Sequence, residues 1–332
     1  MILTVTLNAA IDKTLTVPNF RVGRRHRSVG QQAMAGGKGI NVARALKRLG
    51  RPVIATGLAG GATGTRIVEA LTAESILNDF VRIGEESRTN TSVLDPTTGE
   101  QTEINERGPR VSEAEIATFR DKLLYLARGA AIVVFAGSLP RGVDPGIYGE
   151  LVRELKGMGL TTVVDADGEP LRQAIKADPQ LVTPNVTEAE ELVGHEFAEE
   201  ADLLAGLGEI IQLGAQEAVI TRTDGCVAQL LVDSKPLRLR ARIAEREPVS
   251  PVGSGDAFLA GYVAARYDGN SPQDCLRLAV ASGADSLTRM GAGVVELEGV
   301  ERLVAEVEVE AIGAGGGSGA PVGGSDTMRR WR

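Results

Sequence analysis

Short runs of β-branched and aliphatic residues alternate with longer stretches of helical periodicity along most of this chain. The apolar runs predict strands over 2–7, 53–58, 131–136, 161–165, 180–183, 218–221 and 227–232. Apolar positions recurring every three or four residues predict helices over 40–49, 65–71, 113–127, 145–156, 203–213, 257–266 and 272–289. Alternation of this kind marks βαβ units and a mostly parallel sheet. Two stretches break the pattern: 14–32 and 88–103 are polar, alternate with period 2 and carry turn residues, notably Pro96-Thr97-Thr98-Gly99. They predict a small β-sheet projecting from the main layer, although two plain surface hairpins fit the same pattern. From about residue 312 the sequence changes character. GAGGGSGAPVGG has no hydrophobic pattern, so 312–332 is expected to be a disordered tail following one domain over 1–311.

Composition narrows the reading. Of the 332 residues, 43% are hydrophobic and 24% charged, ordinary for a packed globular protein, but only 3% are aromatic. The core must therefore be built from Val, Leu, Ile and Ala, which suits a parallel sheet. A net charge of −8 argues against a nucleic-acid partner, because phosphate neutralisation dominates such binding. It leaves small anionic metabolites open, provided the donors are concentrated locally. Cys226 and Cys275 show no metal-type spacing, and His26 and His195 cannot build a histidine cluster. No apolar run approaches the ~18 residues of a membrane span, and the opening MILTVTLNAAID reads as a first strand. A cytoplasmic protein without membrane contact is the expectation.

Several glycine-rich or polar loops precede helices or follow strands. In Pro251-Val252-Gly253-Ser254-Gly255-Asp256-Ala257 a glycine-flanked turn leads into an apolar helix. Glycines let successive N–H groups converge, and the helix start adds its positive dipole end, which makes an anion hole. A carboxylate at the edge of that hole suits proton abstraction from a hydroxyl while the N–H groups neutralise a transferring phosphoryl group. The same residues also suit an ordinary turn with Asp256 as a helix N-cap. Ala35-Gly36-Gly37-Lys38-Gly39-Ile40-Asn41 opens another helix from glycines; no Ser or Thr follows Lys38, so it is not a Walker loop. It fits a polyhydroxylated anion, or a tight turn with a surface lysine. Thr183-Pro184-Asn185-Val186-Thr187-Glu188 places Asn185 and Glu188 three apart, fit to hold magnesium through waters or simply to cap a helix. Gly137-Ser138-Leu139-Pro140 and Thr221-Arg222-Thr223-Asp224-Gly225 each follow a strand, where ligands gather in open α/β sheets.

The order of these segments resembles the ribokinase-like (PfkB) family of sugar kinases over roughly residues 1–305. TLNAAID, AGGKGINVARALKRLG, FAGSLPRGV, TPNVTEAEEL and PVGSGDAFLAG carry the resemblance. The Asp12 region, Lys38 and TEINERGP at 102–109 make it similar to the hexose-phosphate branch of 1-phosphofructokinases, tagatose-6-phosphate kinases and the minor 6-phosphofructokinase. The resemblance implies a three-layer α/β/α fold with a β-sheet lid from about 12–34 and 88–105. It implies ATP with magnesium and a sugar-phosphate substrate, most simply fructose 1-phosphate. It also implies Asp256 as the general base, with Gly253, Ser254 and Gly255 as the anion hole. Asp12, Gly36, Gly37 and Asn41 would bind sugar hydroxyls, Lys38 and Arg88 would face the substrate phosphate, and Ser138 would lie beside the sugar. Asn185 and Glu188 would organise magnesium–ATP, Thr221 and Gly225 would line the nucleotide cleft, and the lid would build a homodimer. Three positions depart from the family pattern. Thr183 stands where this branch often has lysine, and Ser250 where many relatives have an acidic residue serving a monovalent cation. Arg222 replaces a smaller residue and is a candidate stand-in for the missing lysine. A dinucleotide-dependent oxidoreductase lacks its glycine fingerprint after the first strand. A non-catalytic sugar-phosphate sensor would gain little from a carboxylate facing phosphate.

Overall fold

The computed structural model describes residues 1–250 and 252–312; the predicted glycine-rich tail from 313 onward lies outside them. The strands, in chain order, are β1 (Ile2–Thr6), β2 (Ala10–Thr16), β3 (Gly30–Gly36), β4 (Val53–Gly60), β5 (Leu77–Ile83), β6 (Arg88–Leu94) and β7 (Gln101–Ile104). They continue as β8 (Ile132–Ala136), β9 (Thr161–Asp165), β10 (Leu181–Val182), β11 (Glu217–Arg222), β12 (Gly225–Val232), β13 (Lys235–Arg242) and β14 (Glu308–Ala311). The helices are α1 (Lys38–Arg48), α2 (Gly61–Ala73), α3 (Glu113–Ala127), α4 (Ile147–Gly157) and α5 (Gly168–Ile175). They continue as α6 (Val186–Val193), α7 (Glu200–Leu213), α8 (Ser254–Tyr267), α9 (Pro272–Leu287) and α10 (Leu297–Val304).

Ten strands form one sheet in the order β14-β13-β12-β11-β10-β9-β8-β1-β4-β5. From β5 to β11 every neighbouring pair is parallel, and the last three strands join antiparallel. The central strands are apolar on both faces because helices cover both. In β8, Val133 and Phe135 pack towards α3 and α4, while Ile132, Val134 and Ala136 belong to the layer of α1, α8 and α9. The result is a three-layer α/β/α sandwich, with the mostly parallel sheet expected from the alternation and the layering implied by the family resemblance. β1 sits at the switch point, with β4 on one side and β8 on the other. A parallel sheet leaves a crevice outside the carboxyl ends of its strands at such a point.

The second sheet has four strands in the order β3-β2-β6-β7. It begins earlier than the polar pattern suggested, at Ala10 instead of 14, because the buried Ala10-Ile11 pair is its apolar root. Residues 17–29 are a connection, not strand. The Asp95 carboxylate accepts from the backbone N–H groups of Asn19 and Phe20 at 2.9 and 2.7 Å, and from Thr97 at 2.9 Å. That one side chain fastens the β2–β3 connection to the β6–β7 turn. Among the described residues, no helix is long and apolar enough to cross a membrane.

Candidate active site

Five central strands end beside one another, and residues at or next to their carboxyl ends, Thr6, Ala136, Asp165, Thr183 and Thr221, all border a single cavity of about 490 Å³. The four-stranded sheet supplies the facing wall through Asp12, Asn90 and Ser92, among others. The loops singled out in the sequence converge here. Asp256 lies in the first turn of α8, buried to 6% exposure, and Gly253 is the N-cap of that helix. Burial pushes the Asp256 carboxyl up to about 7; Asp165 adds to the rise, and Lys38 and a hydrogen bond from Asn41 oppose it. Asn41 Nδ2 donates to Asp256 Oδ2 at 2.8 Å. A buried carboxylate poised near neutrality, at a helix start on a cavity wall, is suited to accept a proton.

The glycines of the two loops serve different ends. Gly253 has φ +83, and a Cβ there would meet Ala292 Cα at 2.6 Å, so the fold itself requires it. Gly255 lies in ordinary helical backbone, and a Cβ there would meet nothing within 4 Å. Its missing side chain leaves room on the cavity side, where Gly255 forms part of the wall. Gly37, the N-cap of α1, has φ +109 and rests on Thr6. Gly36 ends β3 directly against the Asp12 carboxylate, which any Cβ would displace.

Asp12 on β2, on the cavity wall formed by the four-stranded sheet, accepts from Asn90 Nδ2 at 2.8 Å. Burial pushes its carboxyl up, against that hydrogen bond and the nearby charges of Arg88 and Arg44. Arg88, at the start of β6, donates to the carbonyls of Asn8 and Glu106, both at 3.1 Å. Burial lowers its guanidinium from the usual value. Ser138 accepts from Asn8 Nδ2 at 3.2 Å. Among the described residues, five cavity-wall oxygens, those of Thr6, Asn8, Asn90, Ser92 and Thr183, are buried without a hydrogen-bond partner in the protein. Groups of this kind suit a ligand rich in hydroxyls.

Lys38 keeps company that its sequence position did not reveal. Its ammonium lies 3.0 Å from Asp165 and 3.4 Å from Glu188. Burial alone would lower it, but Asp165, Glu188 and Asp256 together hold it above the usual lysine value. It thus belongs to the carboxylates at the ends of β9 and α6. Asn185 and Glu188 form a reciprocal cap at the start of α6: Asn185 Oδ1 accepts from Glu188 N, and Glu188 Oε2 from Asn185 N, both at 2.9 Å. Burial raises the Glu188 carboxyl, and Lys38 pulls the other way.

Of the remaining expected residues, Thr221 borders the cavity, whereas Gly36, Ser254 and Gly225 do not. Gly225 has φ +143 and no room for a Cβ against the Ala241 carbonyl, so it serves the β11–β12 turn. Arg222, the candidate stand-in for the missing lysine, is not on the cavity wall. Its guanidinium is held by Asp224 at 2.8 and 3.1 Å. Sequence reasoning missed Asp165 and Asp167, which also line the cavity. The acidic pair closing the apolar run TTVV was their signal. It missed Asn90 as well, visible only as one polar residue among several on a strand.

The model of the pfkB family carbohydrate kinases matches residues 5–298. A 1-phosphofructokinase of Borreliella burgdorferi is 31% identical over 313 residues, covering 94% of this chain and 99% of that relative. A tagatose-6-phosphate kinase of Staphylococcus epidermidis is 29% identical over 313 residues, covering 93% of this chain and 99% of that relative. The crystal structure of phosphofructokinase-2 from Escherichia coli in complex with substrates and products matches with a TM-score of 0.84 at 28% identity, over 92% of this chain and 98% of the other.

Proposed function

The chain belongs to the pfkB family of carbohydrate kinases, and on that premise we propose that it transfers the γ-phosphoryl group of ATP to a primary hydroxyl of fructose 1-phosphate, with Asp256 as general base. It is an ATP-dependent sugar-phosphate kinase of ribokinase-like fold. The choice among sugar phosphates rests on its 31% identity to a 1-phosphofructokinase. The observation that carries the mechanism is Asp256, buried at the start of α8 and hydrogen-bonded by Asn41.

In the reaction, Asp256 takes the proton of the acceptor hydroxyl as that oxygen bonds to the γ-phosphorus and the bond from phosphorus to ADP breaks. The N–H groups of Gly253 and Gly255, at the positive end of a 14-residue helix, face the charge developing on the phosphoryl oxygens. Lys38, fixed between Asp165 and Glu188, offers a cation on the same wall. Asp12 and Asn90 hold sugar hydroxyls, and Arg88 meets the substrate phosphate. Among the described residues no group of three His, Cys, Asp or Glu could hold a metal ion by itself. Both Glu188 oxygens and the Asn185 carbonyl already have partners. This donor set fits a magnesium ion held chiefly by the nucleotide's phosphates, with Glu188 and Asn185 acting through water. Bound so, magnesium would offset phosphate charge.

The four-stranded sheet acts as a lid whose closure excludes water from the transfer. Val22 and Val29 in the β2–β3 connection and Ile104 at the end of β7, at 93, 72 and 62% exposure, leave apolar side chains uncovered on this part of the molecule, and two copies pair through it. Light scattering at the mass of a monomer would contradict the pairing. The substrate test is ADP release with magnesium–ATP and, separately, fructose 1-phosphate, tagatose 6-phosphate and fructose 6-phosphate. Preference for the first is expected. Preference for tagatose 6-phosphate would favour the chemistry of the staphylococcal relative, and binding without turnover would favour a sensor.

A further inference from the structure

We infer that Arg44, buried on α1, is a positioning residue for the base: it fixes the Asn41 amide with its N–H end towards Asp256 and ties that amide to both flanking loops. The inference rests on the reading of Asp256 as general base.

A guanidinium carries five N–H donors and no acceptor. All five are engaged here, by a side chain with only 2% exposure. Nε and Nη2 donate to the two Glu74 oxygens at 2.5 and 3.0 Å, where α2 ends. Nη2 also donates to the Ala35 carbonyl at 2.6 Å. Nη1 donates to the Ala292 carbonyl at 3.0 Å and to Asn41 Oδ1 at 3.1 Å.

The last contact has a chemical consequence. Arg44 can only donate, so Asn41 must present its oxygen to Arg44 and its NH2 to Asp256 Oδ2, 2.8 Å away. A flipped amide would set oxygen against oxygen at the base, which is tolerable only with the carboxyl protonated. Arg44 therefore selects the orientation that favours the ionised carboxylate, the form a base requires. The other charged groups facing Asp256 are Asp165 at the end of β9, Lys38 on α1 and Asp12 on β2; Arg44 is neutralised by Glu74. Asp165 and Asp12 favour the protonated form, which leaves Asn41 and Lys38 to oppose them.

The two carbonyl contacts extend the role. Ala35 precedes Gly36, on which the Asp12 carboxylate rests, and Ala292 is the surface against which Gly253 packs. One buried cation thus spans the sugar-side strand, the base and the wall of the anion hole. Asn41 and Arg44 are three residues apart on one helix, so they share a face.

The test is the pH profile of turnover in Arg44→Lys, which keeps the charge beside Glu74 but cannot supply five fixed donors. With folding verified by circular dichroism, the acid limb of kcat should move up by about one pH unit, a roughly tenfold loss below it, with the KM for ATP unchanged. Asn41→Leu should show the same shift, and the double variant should shift no further. If Arg44→Lys does not fold, Arg44→Met combined with Glu74→Gln removes the whole ion pair and carries the same expectation. A wild-type acid limb in any folded Arg44 variant or in Asn41→Leu overturns the inference, as do shifts that add in the double variant. Asp256→Asn separates the two levels. If it is inactive while the Arg44 variants keep a wild-type limb, only the positioning role fails; if it is active, the base assignment fails.

Discussion

Replacing Gly255 by alanine should make the protein slightly more stable and nearly inactive. The position lies in the first turn of α8 with no positive φ, and the added methyl would meet no protein atom within 4 Å. Alanine is favoured over glycine in a helix by roughly 0.5–1 kcal/mol, so the melting temperature should rise by about a degree in a chain of this length. The same methyl would stand in the cavity where the anion hole receives the transferring group. Losing the use of one such donor typically costs ~10²–10³ in kcat, and at least that loss is expected. Gly253→Ala is the matching control. There φ is +83 and the new Cβ would meet Ala292 Cα at 2.6 Å, so the change should destabilise by about 1–3 kcal/mol or more. Thermal melts and ADP release on the two variants separate the effects. A Gly255→Ala protein with wild-type turnover would refute the placement of the anion hole. One that melted several degrees lower would refute the open space above residue 255.

Two further outcomes follow from the site. Asp256→Asn should lower kcat by at least ~10²–10⁴ with the fold intact. The folded carboxyl sits at about 7 against 3.8 for a free one, so the folded state holds this proton more tightly. Its contribution to stability is therefore present below the lower value and lost as pH rises through the higher one, on the order of 4 kcal/mol at most. The variant and the parent should melt alike at pH 4, with the variant the more stable above pH 7; the opposite trend would contradict a buried, raised carboxyl. Arg222→Ala should leave the KM for ATP within about twofold, because Asp224 already holds that guanidinium off the cavity wall; a large rise would return Arg222 to the nucleotide.

The parts of the fold legible in the sequence are those where one physical rule decides the outcome. β1 and β8 are buried throughout, so continuous β-branched runs announced them. The helix predicted over 113–127 matches α3, whose apolar periodicity runs its full length; the structure adds that Ser112 and Glu115 cap its start. β5 was missed. LNDFVRI lies at the edge of the large sheet and mixes Asn, Asp and Arg with apolar residues, so neither period 2 nor a solid run appears. α5, α6 and α10, of eight residues each, are too short for a 3.6-residue period to rise above noise. In the site, Gly253 and Asp256 could be picked out locally because a glycine turn entering an apolar helix is a sequence-local event. The partnership of Lys38 with Asp165, 127 positions away, is created by the sheet order alone. Arg44 gave no signal at all, since a lone arginine within a helical pattern reads as solvent-facing.

The reciprocal cap of Asn185 and Glu188 changes what evolutionary drift in this family can reveal. Folding alone keeps both residues, because each closes an open end of α6 for the other. A descendant that had abandoned phosphoryl transfer would therefore retain them, as it would retain Gly253. Gly255 has no such protection: once chemistry ceased to require it, alanine would be the better residue. Among diverged copies of this chain, a side chain at 255 beside an intact Asn185–Glu188 pair would mark those that no longer transfer phosphate.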